Sequence, residues 1–211
     1  MRIKKLGHCC LLIEEKGFRV LTDPGNYSTL QNSEKRIDII LITHEHADHF
    51  HIESVKKVLE NNPQAVIVTN STVGKLLAVE AISHIQTEDG ETYANKDLTI
   101  FGHGSKHAEI YKTWGSVLNT GYFIGERLFY PGDALYDPKR PIEILALPVA
   151  GPWVKISESV NYALALKPKI AFPVHDGGLI NPGIVHRVPA KVLPENAIEF
   201  RVLEIGVSVD F

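Results

Sequence analysis

Residues 37–49 read Ile37-Asp38-Ile39-Ile40-Leu41-Ile42-Thr43-His44-Glu45-His46-Ala47-Asp48-His49, an apolar run that ends in four potential metal ligands within six residues. A run so evenly apolar fits a strand covered on both faces, which leaves the ligands at its tip. An amphipathic stretch of helical length follows, residues 52–62, stopped by Pro63. At this chain's own His and Asp frequencies, the string H-x-H-x-D-H arises by chance in roughly one chain in a thousand, so the motif is specific. In extended backbone His44 and His46 point the same way, while Asp48 and His49, past a turn, face a second point nearby. One loop thus offers ligands for two ions. Imidazole and carboxylate without thiolate suit Zn²⁺, Mn²⁺ or Fe, and catalytic sites of this kind leave a position open for water.

Working outward, β-branched and aliphatic runs recur at residues 2–13, 18–22, 38–43, 65–69, 97–101, 118–124, 127–130, 144–147, 169–173 and 200–209. Helical patterns occupy residues 71–81 and 157–166, the latter closed by Pro168. This mixture predicts one α/β domain over residues 1–211, a layered sandwich of mixed sheets. Residues 182–196 hold three prolines and read as irregular.

Composition narrows the function classes. With 44% hydrophobic and 22% charged residues, the 211-residue chain has material for a sizeable core. A formal net charge of -3 gives no footprint for a nucleic-acid backbone. The best apolar stretch, residues 144–154, is broken by Pro148, Gly151 and Pro152, so no membrane span is expected. The opening MRIKKLGHCCLLIEE lacks a small-residue cleavage site and reads as a first strand, which predicts a cytoplasmic protein. Adjacent Cys9 and Cys10 point to opposite faces of extended backbone, which disfavours a disulfide between them; both read first as small buried hydrophobes, with a metal-ligand or redox role as the alternative.

Two ions need more ligands than one loop supplies, and three candidates stand just past other strand-like runs. His107 follows DLTIF, with His103 as its competitor; Asp133 follows RLFY in P-G-D; His175 follows KIAFP in V-H-D. Asp23, in T-D-P, either accepts the free ring N–H of a ligating histidine or caps a turn. His8 either lines the site or is a buried strand histidine, and Tyr130 and Trp153 either edge the pocket or belong to the core. His51, His84 and His186 read as surface or packing residues.

The set T-H-x-H-x-D-H, a histidine after a mid-chain strand, G-D and a late V-H resembles the metallo-β-lactamase-fold hydrolase superfamily. The opening L-G-H-C-C-L-L-I-E with L-T-D-P and K-H-A-E-I is most similar to its small cytosolic branch, related to ascorbate-phosphate lactonase-like proteins. The resemblance implies a four-layer αβ/βα sandwich of two mixed sheets flanked by helices. It implies His44, His46 and His107 around one metal, Asp48, His49 and His175 around a second, and Asp133 bridging them. Two divalent ions, Zn²⁺ first and Mn²⁺ or Fe as other fits, would ionise a bridging water that attacks an ester, lactone, thioester or phosphodiester bond of a small molecule, with Asp48 orienting the nucleophile. Such a centre, slightly positive, suits substrates that are anionic or become so. Two alternatives stay open: a mononuclear iron redox enzyme acting on sulfur compounds, and a non-catalytic binding protein that kept the fold. Oligomeric state is not legible from these residues.

Overall fold

The computed structural model describes residues 1–211. The first half runs β1 (Arg2–Gly7), β2 (Cys10–Glu15), β3 (Phe18–Thr22), a 3-10 turn (Leu30–Ser33), β4 (Ile39–Ile42), α1 (Ile52–Asn61), β5 (Val66–Thr69), α2 (Ser71–Val79) and β6 (Ile85–Gln86). The second runs β7 (Thr92–Asn95), β8 (Leu98–His103), β9 (Gly121–Ile124), β10 (Leu128–Tyr130), β11 (Ile144–Pro148), α3 (Ile156–Leu166), β12 (Ile170–Val174), α4 (Gly183–Glu195), β13 (Glu199–Phe200) and β14 (Ser208–Asp210).

Two seven-stranded sheets result, ordered β14-β1-β2-β3-β4-β5-β6 and β13-β12-β11-β10-β9-β8-β7. Each is antiparallel through β1–β3 or β7–β10 and parallel through β3–β6 or β10–β13. The period of two along each strand decides the layering. Ile39 and Leu41 of β4 enter the core between the sheets, with Ile144 and Ala146 of β11. Their neighbours Ile40 and Ile42 face outward onto Val55 and Val58 of α1 and Val73 and Leu77 of α2. On the other side Leu145 and Leu147 of β11 meet Val160 and Ala163 of α3 and Leu193 of α4. The layers are therefore helix, sheet, sheet, helix: the four-layer αβ/βα sandwich. Each fully buried aliphatic side chain contributes about 1.5–3 kcal/mol, so strands buried on both faces hold the middle together. Cys9 lies in the inter-sheet core and Cys10 in the outer one, both buried and unpaired.

Three sequence expectations are corrected. Residues 2–13 are not one strand: Gly7 at φ 141° and His8 at φ 41° turn the chain, and β1 and β2 pair antiparallel. Residues 200–209 divide between the sheets, β13 joining β12 and β14 joining β1. Residues 182–196 are not irregular, since α4 spans Gly183–Glu195 with Pro189 and Pro194 inside it. A proline within a helix costs about 3 kcal/mol, and burial of Leu193 and Pro189 is enough to offset one of them.

β1, β3 and β4 share one direction in the first sheet, and β8, β10, β11 and β12 share one in the second. The segments after their C-terminal ends meet along a single edge of the sandwich, where all the chemistry-bearing residues collect.

Candidate metal centre

Every candidate ligand stands just past one of those strand ends: His44 to His49 after β4, His107 after β8, Asp133 after β10 and His175 after β12. Asp133 sits in the middle. Its Oδ1 is 3.0 Å from His49 Nε2, and its Oδ2 is 2.9 Å from His175 Nε2, 3.3 Å from His107 Nε2 and 3.8 Å from His44 Nε2. The ligand atoms of His44, His46, His107 and Asp133 all lie within 4.8 Å of one another. Beside them Asp48 Oδ2 is 3.5 Å from His175 Nε2 and 3.9 Å from His49 Nε2. The seven candidates of the sequence thus meet in one place: Asp133 groups with His44, His46 and His107 and also reaches His49 and His175, which stand beside Asp48.

Local backbone explains the aim of two of these groups. The loop carrying Asp48 lies directly on Gly25, where a Cβ would stand 1.9 Å from the Asp48 carbonyl oxygen. Gly132 takes φ 64°, a left-handed turn that only glycine adopts freely, and Asn119 Oδ1 accepts the Asp133 N–H at 3.0 Å.

The outer ring nitrogens are anchored. His49 Nδ1–H donates to Asp23 Oδ2 at 2.7 Å. His44 Nδ1–H donates to Thr43 Oγ1 at 2.9 Å, and Thr43 in turn donates to Asp23 Oδ2 at 2.8 Å. His107 Nδ1–H donates to the Ala108 carbonyl at 2.5 Å. Each anchor fixes the tautomer that leaves a lone pair on Nε2 facing inward. Asp23, fully buried, also accepts the Thr43 N–H at 2.8 Å and the Tyr130 hydroxyl at 2.5 Å. Tyr130 therefore stands behind Asp23 in the core and does not edge the cavity, contrary to the pocket reading, because its ring packs among the inter-sheet residues.

The Nε2 atoms of His44, His49, His107 and His175 and Asp133 Oδ1 are buried and lack a hydrogen-bond partner. Buried polar atoms left unpaired are costly, and five aimed at one space fit cation ligation. The electrostatics agree. Burial disfavours charge on His175, yet Asp133 at 2.9 Å outweighs it and pushes the pKa up to about 10. Burial likewise opposes charge on His49, and Asp133 again raises it well above the ordinary imidazole value. Burial opposes ionisation of Asp48 as well, but His175 at 3.5 Å and the hydrogen bond from His8 hold it below the usual carboxylate range. His44, through burial and the neighbouring His49, falls well below the ordinary value and is a neutral lone-pair donor. The carboxylates demand positive charge at their centre, which a metal ion supplies.

His8 Nδ1 accepts the Gly177 N–H at 3.1 Å, so its proton sits on Nε2, 3.2 Å from Asp48 Oδ2. It is a donor to Asp48. Trp153 walls the cavity, its ring centroid 5.8 Å from that of His107 and 5.6 Å from that of His175. His103 belongs to neither group and packs against Phe129 at 6.0 Å between ring centroids.

Sequence reasoning missed several neighbours. Cys9 brings its Sγ within 4.8 Å of ring nitrogens of His8, His49 and His175. His186, read as a packing residue, bonds Asp176 Oδ2 at 2.8 Å, while the buried Lys5 ammonium bonds Asp176 Oδ1 at 2.5 Å and the Pro173 carbonyl at 2.9 Å. Asp176 follows His175 directly, so this trio pins the strand end that carries it. The V-H-D string was the only signal for Asp176, and none existed for Lys5, 171 positions away.

A four-layer αβ/βα sandwich with a His/Asp cluster at one strand edge is the architecture of the metallo-β-lactamase-type metal-dependent hydrolases. The chain belongs to the beta-lactamase superfamily domain family, whose model matches residues 2–175. Among relatives, protein Rv0786c of Mycobacterium tuberculosis is 32% identical over 217 residues, covering 100% of both chains. A protein of Carboxydothermus hydrogenoformans named UPF0173 metal-dependent hydrolase is 29% identical over 195 residues, covering 83% of this chain and 84% of its own. Among solved structures, a metallo hydrolase from the archaeon Ignicoccus hospitalis superposes with a TM-score of 0.78 at 19% identity, over 100% of this chain and 98% of that one. No helix is long and apolar enough to cross a membrane.

Proposed function

We propose that residues 1–211 act as one domain, a binuclear metal-dependent hydrolase of the cytoplasm. Its substrate would be a small molecule carrying an ester, lactone, thioester or phosphodiester bond. The observation that carries this reading is the set of five buried, unpartnered ligand atoms facing one space, with Asp133 within reach of His44 and His107 on one side and of His49 and His175 on the other. His44, His46 and His107 would hold one ion, Asp48, His49 and His175 the other, with Asp133 between them. Zn²⁺ suits this donor set, as do Mn²⁺ and Fe. Ions bound there would supply Lewis acidity and water ionised near neutral pH.

The chain's own residues do the rest. Asp48 is the carboxylate that faces the open side, its side chain 23% exposed against 3% for Asp133. Ionised and steered by the His8 N–H, it is placed to orient a nucleophile by accepting its hydrogen bond. The relatives named metal-dependent hydrolases support the reaction class, a net charge of -3 speaks against nucleic-acid substrates, and two buried, unpaired thiols suit a reducing compartment.

Chelator treatment is the test. Hydrolysis of carboxyl-ester and phosphodiester panels should vanish on chelation and return with Zn²⁺, Mn²⁺ or Fe. Turnover that survives exhaustive chelation would refute the proposal.

A further inference from the structure

The cavity above the candidate centre has a volume of about 670 Å³, within the range of drug-sized ligand sites. Its walls divide sharply. Beyond the side chains of the centre itself, His8 included, the polar groups on the lining residues include Asn26, the Tyr27 hydroxyl and the unpartnered Trp153 Nε1. No Lys or Arg lines it. Outside the centre and Asn26, the side chains are aromatic or aliphatic, from Trp153 beside the candidate ligands to Tyr27, Ile110, Trp114 and Leu179 at the mouth. Tyr27 packs edge-on to His8 at 5.1 Å, so the apolar wall is continuous with the site. Trp114 is 71% exposed and Tyr27 54% exposed, large rings held in water at the rim of a cleft. Clustered exposed rings of this kind mark a ligand surface.

Charge points the same way. Two dications bring about four positive charges, and Asp48, Asp133 and the fully buried Asp23 answer three of them, leaving about one for an ionised nucleophile. A phosphate or polycarboxylate substrate would therefore find neither surplus charge at the centre nor the cationic forks that recognise such groups.

Resting on the hydrolase reading above, we infer that the substrate is a neutral carboxylic ester or lactone whose acyl part carries an apolar group of phenyl size or larger, seated against Trp114, Tyr27 and Leu179. This narrows the four bond types to two and reverses the anionic preference expected from the sequence.

The chain's two tryptophans, Trp114 and Trp153, both line this cavity, so intrinsic fluorescence reports its occupancy without any turnover. Chelator-treated and Zn²⁺-loaded protein would be titrated with phenylacetamide and, separately, with glycerol phosphate. Phenylacetamide should change the emission saturably in both forms, and Trp114→Ala, at an exposed loop position with Trp153 left as reporter, should weaken it about tenfold. Glycerol phosphate should give no saturable change. Equal or tighter binding of glycerol phosphate, or no response to phenylacetamide, overturns the inference. In turnover, kcat/KM should rise about fourfold per methylene from acetyl to hexanoyl esters. Acetyl esters and phosphodiesters cleaved as fast as hexanoyl esters would sink this inference while the hydrolase reading stood. Aromatic binding with no ester or phosphodiester cleaved under any metal would sink the hydrolase reading instead.

Discussion

His44, His46, His107 and Asp133 sit on backbone of ordinary conformation, whereas the Asp48 side of the centre leans on left-handed residues: His8 at φ 41°, Asp23 at 38° and His175 at 63°. Each such non-glycine residue costs about 1–2 kcal/mol, a strain that persists only where surrounding contacts over-determine it. Those contacts are visible. Asp23 is tied by Thr43, Tyr130 and His49, His8 by Gly177, and the strand end at His175 by Lys5, Asp176 and His186. The first group contains no left-handed ligand of its own, while the second leans on three left-handed residues held by long-range hydrogen bonds. The second group should yield first when its supports are removed.

The largest effect is expected where the two groups join. Asp133→Asn should lower kcat/KM by at least about a thousandfold, the scale of removing one group that stabilises developing charge, and should weaken binding of both ions. Metal analysis after dialysis, alongside kinetics, reads both; retention of two tightly held ions would dissolve the idea of a shared carboxylate. A smaller effect sharpens the contrast. Asp23→Asn should weaken the ion on the His49 side by about 10–100-fold and the His46 side less, because Asp23 bonds His49 directly but reaches His44 only through Thr43, as measured by competitive chelation. Equal weakening of both would show that the direct bond to His49 carries no special weight.

Much of this was legible in the sequence because it is local. The T-H-x-H-x-D-H string carries four candidate ligands on one loop, and G-D and V-H follow recognisable strands, so the positions of His107, Asp133 and His175 could be read from strand ends. The helical layer was legible where periodicity and a terminal proline agreed, as in α1 and α3. What escaped was long-range or self-contradictory. The turn at His8 hid inside residues 2–13, read as one strand although Gly7 and His8 interrupt its apolar pattern, and Pro189 and Pro194 signal a break that packing of Leu193 overrides. Tyr130, fully buried, was left open between core and cavity because a strand-end aromatic carries the same sequence signature in either place. The rim residues Ile110 and Trp114 lie in a segment without periodicity, and the Lys5–Asp176–His186 cluster joins three distant positions that nothing in the chain links.

The account stands on two cations sharing Asp133, and anomalous-scattering crystallography of protein saturated with Zn²⁺ tests it most directly. It predicts two peaks flanking Asp133, one among the Nε2 atoms of His44 and His107 and the ring of His46, the other among Asp48, His49 and His175. A single peak, or peaks away from Asp133, would contradict it.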